Sequence, residues 1–533
     1  MRNRIVLAAA LVVLAAITLL RIRLIDTLPD QGYFAKYSII ADEILSGHLP
    51  RERLLDFSPL YLWFVVAMRA TGAGVMAIRT LQVVMVSVAA LLLAIAARRW
   101  GPTAMLAAPL LLLGSRGALV CATDLEPETL ILLFNAAALA CGSAARRSRA
   151  LQVLSGILLG FSAICRPVAL LVVIGLALLW RSWRLLAGAL VPVGIMLVIN
   201  ASLTGEVALM DPGTVFYEGM NPSAGGYEGV QPRIVNDLER ESRNPDYLHV
   251  AYRVVAARAL GHPVTRAESN RYWTSKALAF ARAYPLAALR LTAHKLDFTF
   301  HSYDAYDLAT MARKNFLLQR FPFIPFGVIA GFALAALLLR TRGIAPLVVF
   351  AAASGVTLVI FYVTARQRNA MLPPMIVLAA AGIAEIVARR HVIVAILAIV
   401  VAVLLSVNGP AQREDAAGWL GGRNAFDQAL DLERQGRWTE ADALLQRLDA
   451  AGYRPLRENR AVSSIAFYRA RAAAHLGQPG PAVMALLDRA EREAPGNEHV
   501  LAMQARLGDR RAERLLFALH DPLTARRALN EGI

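Results

Sequence analysis

The sequence predicts an all-α polytopic membrane protein with about eleven transmembrane helices, extracytoplasmic loops and a C-terminal helical-repeat domain. Three observations lead there. Of 533 residues 57% are hydrophobic and the mean hydropathy is +0.49, too apolar for a soluble globular chain. Apolar runs near the spanning length recur up to about residue 408, many of them bracketed by arginines. From about residue 411 the composition turns charge-rich and helical, with no spanning run.

The expected spans are 4–25, 75–97, 102–121, 127–145, 150–165, 167–180, 184–201, 322–339, 344–363, 370–388 and 391–408. Arg2 and Arg4 precede the first run, no small-residue cleavage site follows it, and Arg21 and Arg23 come next, which predicts a retained helix rather than a leader. One kinked helix across Pro167 would invert everything downstream, so the basic residues decide. With eleven crossings Arg2/Arg4, Arg98/Arg99, Arg146/Arg147/Arg149, Arg181/Arg184, Arg340/Arg342 and Arg389/Arg390 fall on one side, as the positive-inside rule demands of the cytoplasm. The N-terminus is then inside, and segments 26–74, 202–321 and 409–533 form the outer face. Within the first, Tyr33 to Leu45 and Pro59 to Ala70 are too short to cross and read as helices lying on the membrane. In the second, Phe216 to Tyr227 is an irregular loop by its glycines, Asn221 and Pro222, and a helical part runs from about Arg266 to Phe300.

The expected division is a membrane domain over 1–409 and a helical domain over 410–533. In the latter Gly436-Arg437-Trp438-Thr439-Glu440-Ala441, then Gly477 with Ala482, Ala490 and Pro495, then Gly508 with Ala512 recur like the small-residue positions of paired helices. They resemble degenerate tetratricopeptide repeats, which implies a stacking surface for a protein partner.

The net charge of +17 does not point to nucleic acid, because only four of the 56 basic residues are lysine and the arginines sit in pairs at the ends of apolar runs. Cys121, Cys141 and Cys165 lie in or beside apolar segments and spell neither a disulfide framework nor a metal cluster. Phosphate-binding glycine loops, His-Glu-x-x-His and serine-elbow motifs are all absent.

Charges on the outer face run against the positive-inside preference and need another reason. The arginines are Arg116, Arg166 in Cys165-Arg166-Pro167, and Arg366 with Arg368 in Ala365-Arg366-Gln367-Arg368-Asn369. A guanidinium is always charged and presents a planar fork of donors, which suits a lipid-linked phosphate; the alternative is an anchor reaching to headgroups. Lys295 is a further candidate for phosphate, or else a solvated lysine. The acids are Asp30, just after the first span, and Asp124, Glu126 and Glu128. Asp30 is the first candidate for a general base, with Glu128 and Asp124 as competitors. Helix capping is the alternative role for each, and Asp124, Glu126 and Glu128 together form a candidate site for a divalent cation.

Taken in order, the acid after the first span, Tyr37-x-x-x-Ala41, Ser58-Pro59-Leu60-Tyr61, Pro127-Glu128, Gly156-x-x-x-Gly160 with Arg166-Pro167, Gly219-Met220-Asn221-Pro222 and Arg366/Arg368 before Leu372-Pro373 resemble a known family. It is the C-type fold (GT-C) of polyprenyl-phosphate-sugar-dependent glycosyltransferases, in its protein O-mannosyltransferase-like and aminoarabinose transferase-like branch, over roughly residues 10–390. In that family an acidic pair commonly stands four or five residues before the tyrosine matching Tyr37. Here Gly32 and Tyr33 occupy those places and Asp30 lies seven before.

The resemblance implies a multi-pass protein of the bacterial cytoplasmic (inner) membrane. It would perform inverting transfer of a sugar from a polyprenyl-phosphate donor to the hydroxyl of a glycan, lipid or protein acceptor. Tyr37 and Tyr61 would join the arginines in binding substrate. Two other readings stay open: a transporter or flippase for a lipid-linked glycan, and a catalytically inactive assembly scaffold.

Overall fold

A computed structural model describes residues 12, 15–25, 36–48, 51–145, 148–227, 229–242, 248–305, 311, 314, 318, 321–407, 422–451, 462 and 464–530. Among them every regular element is helical, with one isolated bridge between Ser115 and Ile324. The chain forms two compact units, residues 1–211 with 295–407 and residues 212–294 with 408–533. Residues 212–294, most of the expected outer segment 202–321, thus group with the tail, and 202–211 with 295–321 group with the first unit.

The first unit opens with α1 (15–25), α2 (Lys36–Leu45), α3 (Pro59–Ala70), α4 (Val75–Ala97), α5 (Pro102–Gly114), α6 (Arg116–Ala122), α7 (Glu128–Ala145), α8 (Arg149–Cys165), α9 (Ala169–Trp180) and α10 (Trp183–Thr204). The second unit takes α11 (Pro212–Gly219), α12 (Arg233–Ser242), α13 (Leu248–Leu260) and α14 (Arg266–Ala283), and the unit boundary falls within α15 (Pro285–Phe300). The first unit then resumes with α16 (Phe326–Leu338), α17 (Ala345–Ile360), the single turn α18 (Ala365–Arg368), α19 (Leu372–Arg389) and α20 (Val392–Leu404). The tail adds α21 (Gly422–Arg434), α22 (Trp438–Ala450), α23 (Ile465–His475), α24 (Gly480–Glu493), α25 (Glu498–Arg506), α26 (Arg510–Leu519) and α27 (Pro522–Asn530).

Among the described residues three helical stretches are long and apolar enough to cross a membrane: Val75–Trp100, Trp183–Thr204 and Leu372–Arg389. Large apolar side chains stand exposed along them and their neighbours, such as Val84, Val88 and Ile95 on α4 and Ile393, Ile396, Val400 and Val403 on α20. Such surface belongs against lipid, and the protein is membrane-associated. The expected eleven spans are not found among the described residues, and much of the expected span 4–25 lies outside them. Eight other apolar helices have 10–17 residues, at most about 26 Å of rise against a hydrocarbon core near 30 Å. Hydropathy counts apolar residues without asking whether the helix continues. Segment 102–121, for instance, breaks after Gly114, where Ser115 caps α6 by accepting from the Ala118 N–H.

Small residues set the tightest crossing. A Cβ on Gly156 or Gly160 of α8 would fall within contact distance of the Leu185 or Ala189 carbonyl of α10. Only glycine lets the two backbones meet so closely.

In the second unit Tyr217 on α11, Tyr252 on α13 and Tyr272 on α14 surround Trp273, with ring centroids 4.8, 4.9 and 5.1 Å away. Phe280 of α14 shares a core with Leu501, Leu516 and Leu519 of the tail. Successive tail helices pack on one another around Phe426, Leu445, Tyr468, Leu487 and Val500. The stretch expected to be an irregular loop from Phe216 is helical as far as Gly219, the end of α11, and just beyond it the Asn221 amide donates to the carbonyls of Tyr217, Glu218 and Val230 at 2.8, 3.1 and 2.9 Å. That is a complete structural use for the asparagine.

Candidate functional site

The expected outer-face charges meet in the first unit, around the turn between α6 and α7. Asp124, Glu126 and Glu128 are all buried there, and each carboxylate faces a cation. Lys314 reaches Asp124 at 3.0 Å and also donates to the Thr123 carbonyl at 2.8 Å. Glu126 takes Lys36 at 3.2 Å on one oxygen and Arg366 at 3.1 Å on the other. Glu128 is paired with Arg166, and the Nε of Arg366 lies 3.9 Å from it. Burial pushes the Asp124 carboxyl above its usual range, against the pull of Lys314.

Each of the three candidate cation ligands faces a basic side chain, and among the described residues no three His, Cys, Asp or Glu side chains converge as metal ligands.

A second cluster lies beside the first. Asp304 is paired with Arg368 and lies 3.1 Å from Arg116. Arg368 also donates to the Phe298 and His301 carbonyls at 3.2 and 2.6 Å, and its guanidinium stands 4.4 Å from the Phe326 ring. The single turn α18 divides the two clusters. Thr364 caps it by accepting from the Gln367 N–H at 3.2 Å, and residues two apart on a helical turn point in nearly opposite directions. Arg366 therefore serves the acid turn and Arg368 serves Asp304. The four candidate arginines form two pairs rather than one grip.

Between Arg116 and Arg368 lies a cavity of about 250 Å³, with Asp304 and Asn369 among its polar groups and Phe321, Phe323 and Phe326 on its apolar side. The apolar wall is held by the Ile324 N–H, which donates to the Gly114 carbonyl at 2.8 Å. Among the described residues Lys36, Arg116, Arg166, Lys314, Arg366 and Arg368 face Asp124, Glu126, Glu128 and Asp304 across the two clusters.

Tyr37 and Tyr61 are buried, not open to a substrate. The Tyr37 hydroxyl accepts from the Ser58 N–H at 3.2 Å, and its ring meets Tyr61 edge-on at 4.7 Å. Tyr61 donates to Gln82 at 2.6 Å, and the Gln82 amide donates to the carbonyls of Ala122 and Asp124 at 2.8 and 2.6 Å. The two tyrosines brace the acid turn. Lys295 is also buried, its ammonium 3.3 Å from the Ile360 carbonyl, and burial pulls its pKa down to about 8. Asp30 lies outside the described residues.

Sequence reading missed Asp304, Gln82 and the roles of Lys36 and Lys314. A signal for the lysines was present: a chain that uses arginine almost throughout keeps only four lysines, and Lys36, Lys295 and Lys314 all fall in this region. No protein-family model, curated protein or solved structure matches the chain.

Proposed function

We propose that the first unit is an inverting glycosyltransferase that moves a sugar from a polyprenyl-phosphate donor to an acceptor hydroxyl at the outer face of the cytoplasmic membrane. The observation that carries this reading is the cavity between Arg116 and Arg368. Two guanidiniums line it, whose forks of donors suit a phosphate, and the phenylalanine wall suits the first isoprene units of the lipid. The acceptor oxygen attacks the anomeric carbon as the bond from that carbon to the phosphate oxygen breaks. The electron pair leaves on the phosphate, whose charge the arginines stabilise. The hydroxyl proton passes to a carboxylate, for which Asp30 is the candidate. Asp124 and Glu128, each tied to a cation, act as the frame of the site.

The test is donor binding to the full-length protein in detergent, with mass spectrometry of the lipid that co-purifies. Arg116→Gln and Arg368→Gln should each weaken donor affinity about ten- to a hundredfold, the worth of a charge-assisted contact. Unchanged affinity in both, or a co-purified lipid without phosphate, would refute the reading.

A further inference from the structure

Far along the same helices from the acid turn, α8 and α10 begin side by side. The Ser182 hydroxyl that precedes α10 donates to Gln152 of α8 at 2.6 Å, and a Cβ on Gly188 would strike the Val153 carbonyl. The two first turns enclose a groove of about 320 Å³ lined by Arg149, Val153, Trp183, Arg184, Ala187 and Val191.

Its chemistry changes along its length. Arg149 and Arg184 stand in the first turns of their helices, while Val191 lies two turns on, about 10 Å deeper into the apolar zone. The Arg184 guanidinium sits 5.0 Å from the Trp183 ring, and Trp183 is 68% exposed, as a residue at the membrane interface is. Among the described residues neither Arg149 nor Arg184 has a carboxylate partner, in contrast to every arginine of the acid turn. A membrane phospholipid with an anionic headgroup matches this sequence of groups: phosphate between two arginines, then an acyl chain over Val153, Ala187 and Val191.

We propose that this groove is a binding site for one anionic phospholipid of the leaflet that meets the starts of α8 and α10. The site does not depend on the glycosyltransferase reading. It ties the headgroup region to the tightest helix crossing in the membrane unit, so an occupied groove resists separation of α8 from α10.

The experiment titrates lipid-depleted full-length protein in detergent with phosphatidylglycerol or phosphatidylcholine and counts bound lipids by native mass spectrometry. The wild type should hold one phosphatidylglycerol that Arg149→Gln/Arg184→Gln binds about thirtyfold more weakly, roughly fivefold for each arginine. Val191→Trp, which fills the deep end and keeps both charges, should lose the same lipid, and combining it with the double variant should remove no further one. Arg368→Gln and Arg390→Gln should keep it. Undiminished binding in the double variant would overturn the proposal, as would phosphatidylcholine bound as tightly as phosphatidylglycerol. Displacement by millimolar inorganic phosphate would reduce the groove to a simple anion site and overturn the acyl seat.

Discussion

The helices of the membrane unit have arginines at both ends, and the two ends use them in opposite ways. At the ends marked by Arg98, Arg99, Arg181, Arg340, Arg389 and Arg390 the side chains are exposed. Three of these, Arg181, Arg340 and Arg390, end α9, α16 and α19 in the left-handed conformation at φ 49°, 48° and 53°, the only non-glycine residues with positive φ among those described. At the acid-turn end Arg116, Arg166, Arg366 and Arg368 are largely buried, and each meets Asp304, Glu126 or Glu128. Exposed arginine costs little to place and orients the chain in the bilayer, whereas buried arginine needs a partner and fixes geometry. One end is a surface and the other is a set of buried ion pairs.

The largest effect expected from this difference is on chemistry. In the proposed transfer, with the buried carboxylates bound up with cations, the proton acceptor comes from elsewhere, and Asp30 is its candidate. Asp30→Asn should lower transfer about 10²–10⁴-fold while donor binding persists. Near-normal transfer in that variant, with loss confined to Glu128→Gln, would move the base into the acid turn and blur the distinction between frame and reagent.

Next in size is the frame itself. Lys314→Met leaves Asp124 buried without its ammonium and should destabilise the protein by about 3–5 kcal/mol, whereas Lys314→Met/Asp124→Leu should recover most of that loss. Thermal unfolding in detergent measures both. A small loss in the single variant would show that water reaches Asp124, contrary to its burial.

What the sequence made legible follows from how far each signal reaches along the chain. The helical character, the changed composition of the tail and the glycines at 436, 477 and 508 were readable because they are local: each of those glycines follows a helix at positive φ, 74°, 69° and 97°. The acids of the turn and the four arginines of the two clusters were visible as charges without an orienting purpose. Which arginine serves which acid was not, because Arg366 and Arg368 diverge only once a single turn of helix is formed. Asp304 and Lys314 were invisible for a different reason: their partners are far along the chain, Arg116 and Arg368 at 188 and 64 residues from Asp304, and Thr123 at 191 from Lys314. The apolar runs misled, since Gly114-Ser115 interrupts a run that hydropathy joins and the run from 322 becomes helical only at Phe326.

Lys295 gives an intermediate effect. It is buried at the site end with a carbonyl rather than a carboxylate near its ammonium, and its pKa falls from 10.5 to about 8. Between those values the unfolded chain binds more protons than the folded one, so stability should rise as pH climbs from about 8 to 10.5 and stay penalised below 8. Lys295→Met should remove that slope and gain at most about 3 kcal/mol near pH 7. A slope that survives in the Met variant would assign the titration to another group.

The smallest effect belongs to the exposed end. Arg181 ends α9 in a conformation that costs a residue with a Cβ about 1–2 kcal/mol, which glycine would not pay, while glycine would add freedom to the unfolded chain worth roughly 0.5–1 kcal/mol. Arg181→Gly should therefore shift stability by less than about 1 kcal/mol in either direction. Arg166→Gln at the other end removes one charge and leaves Glu128 buried without its main partner, which should cost several times more. Parallel unfolding of the two variants sets the scale of the contrast. If Arg181→Gly destabilised as much as Arg166→Gln, the exposed arginines would be held by contacts of their own, and the two ends would differ in burial but not in kind.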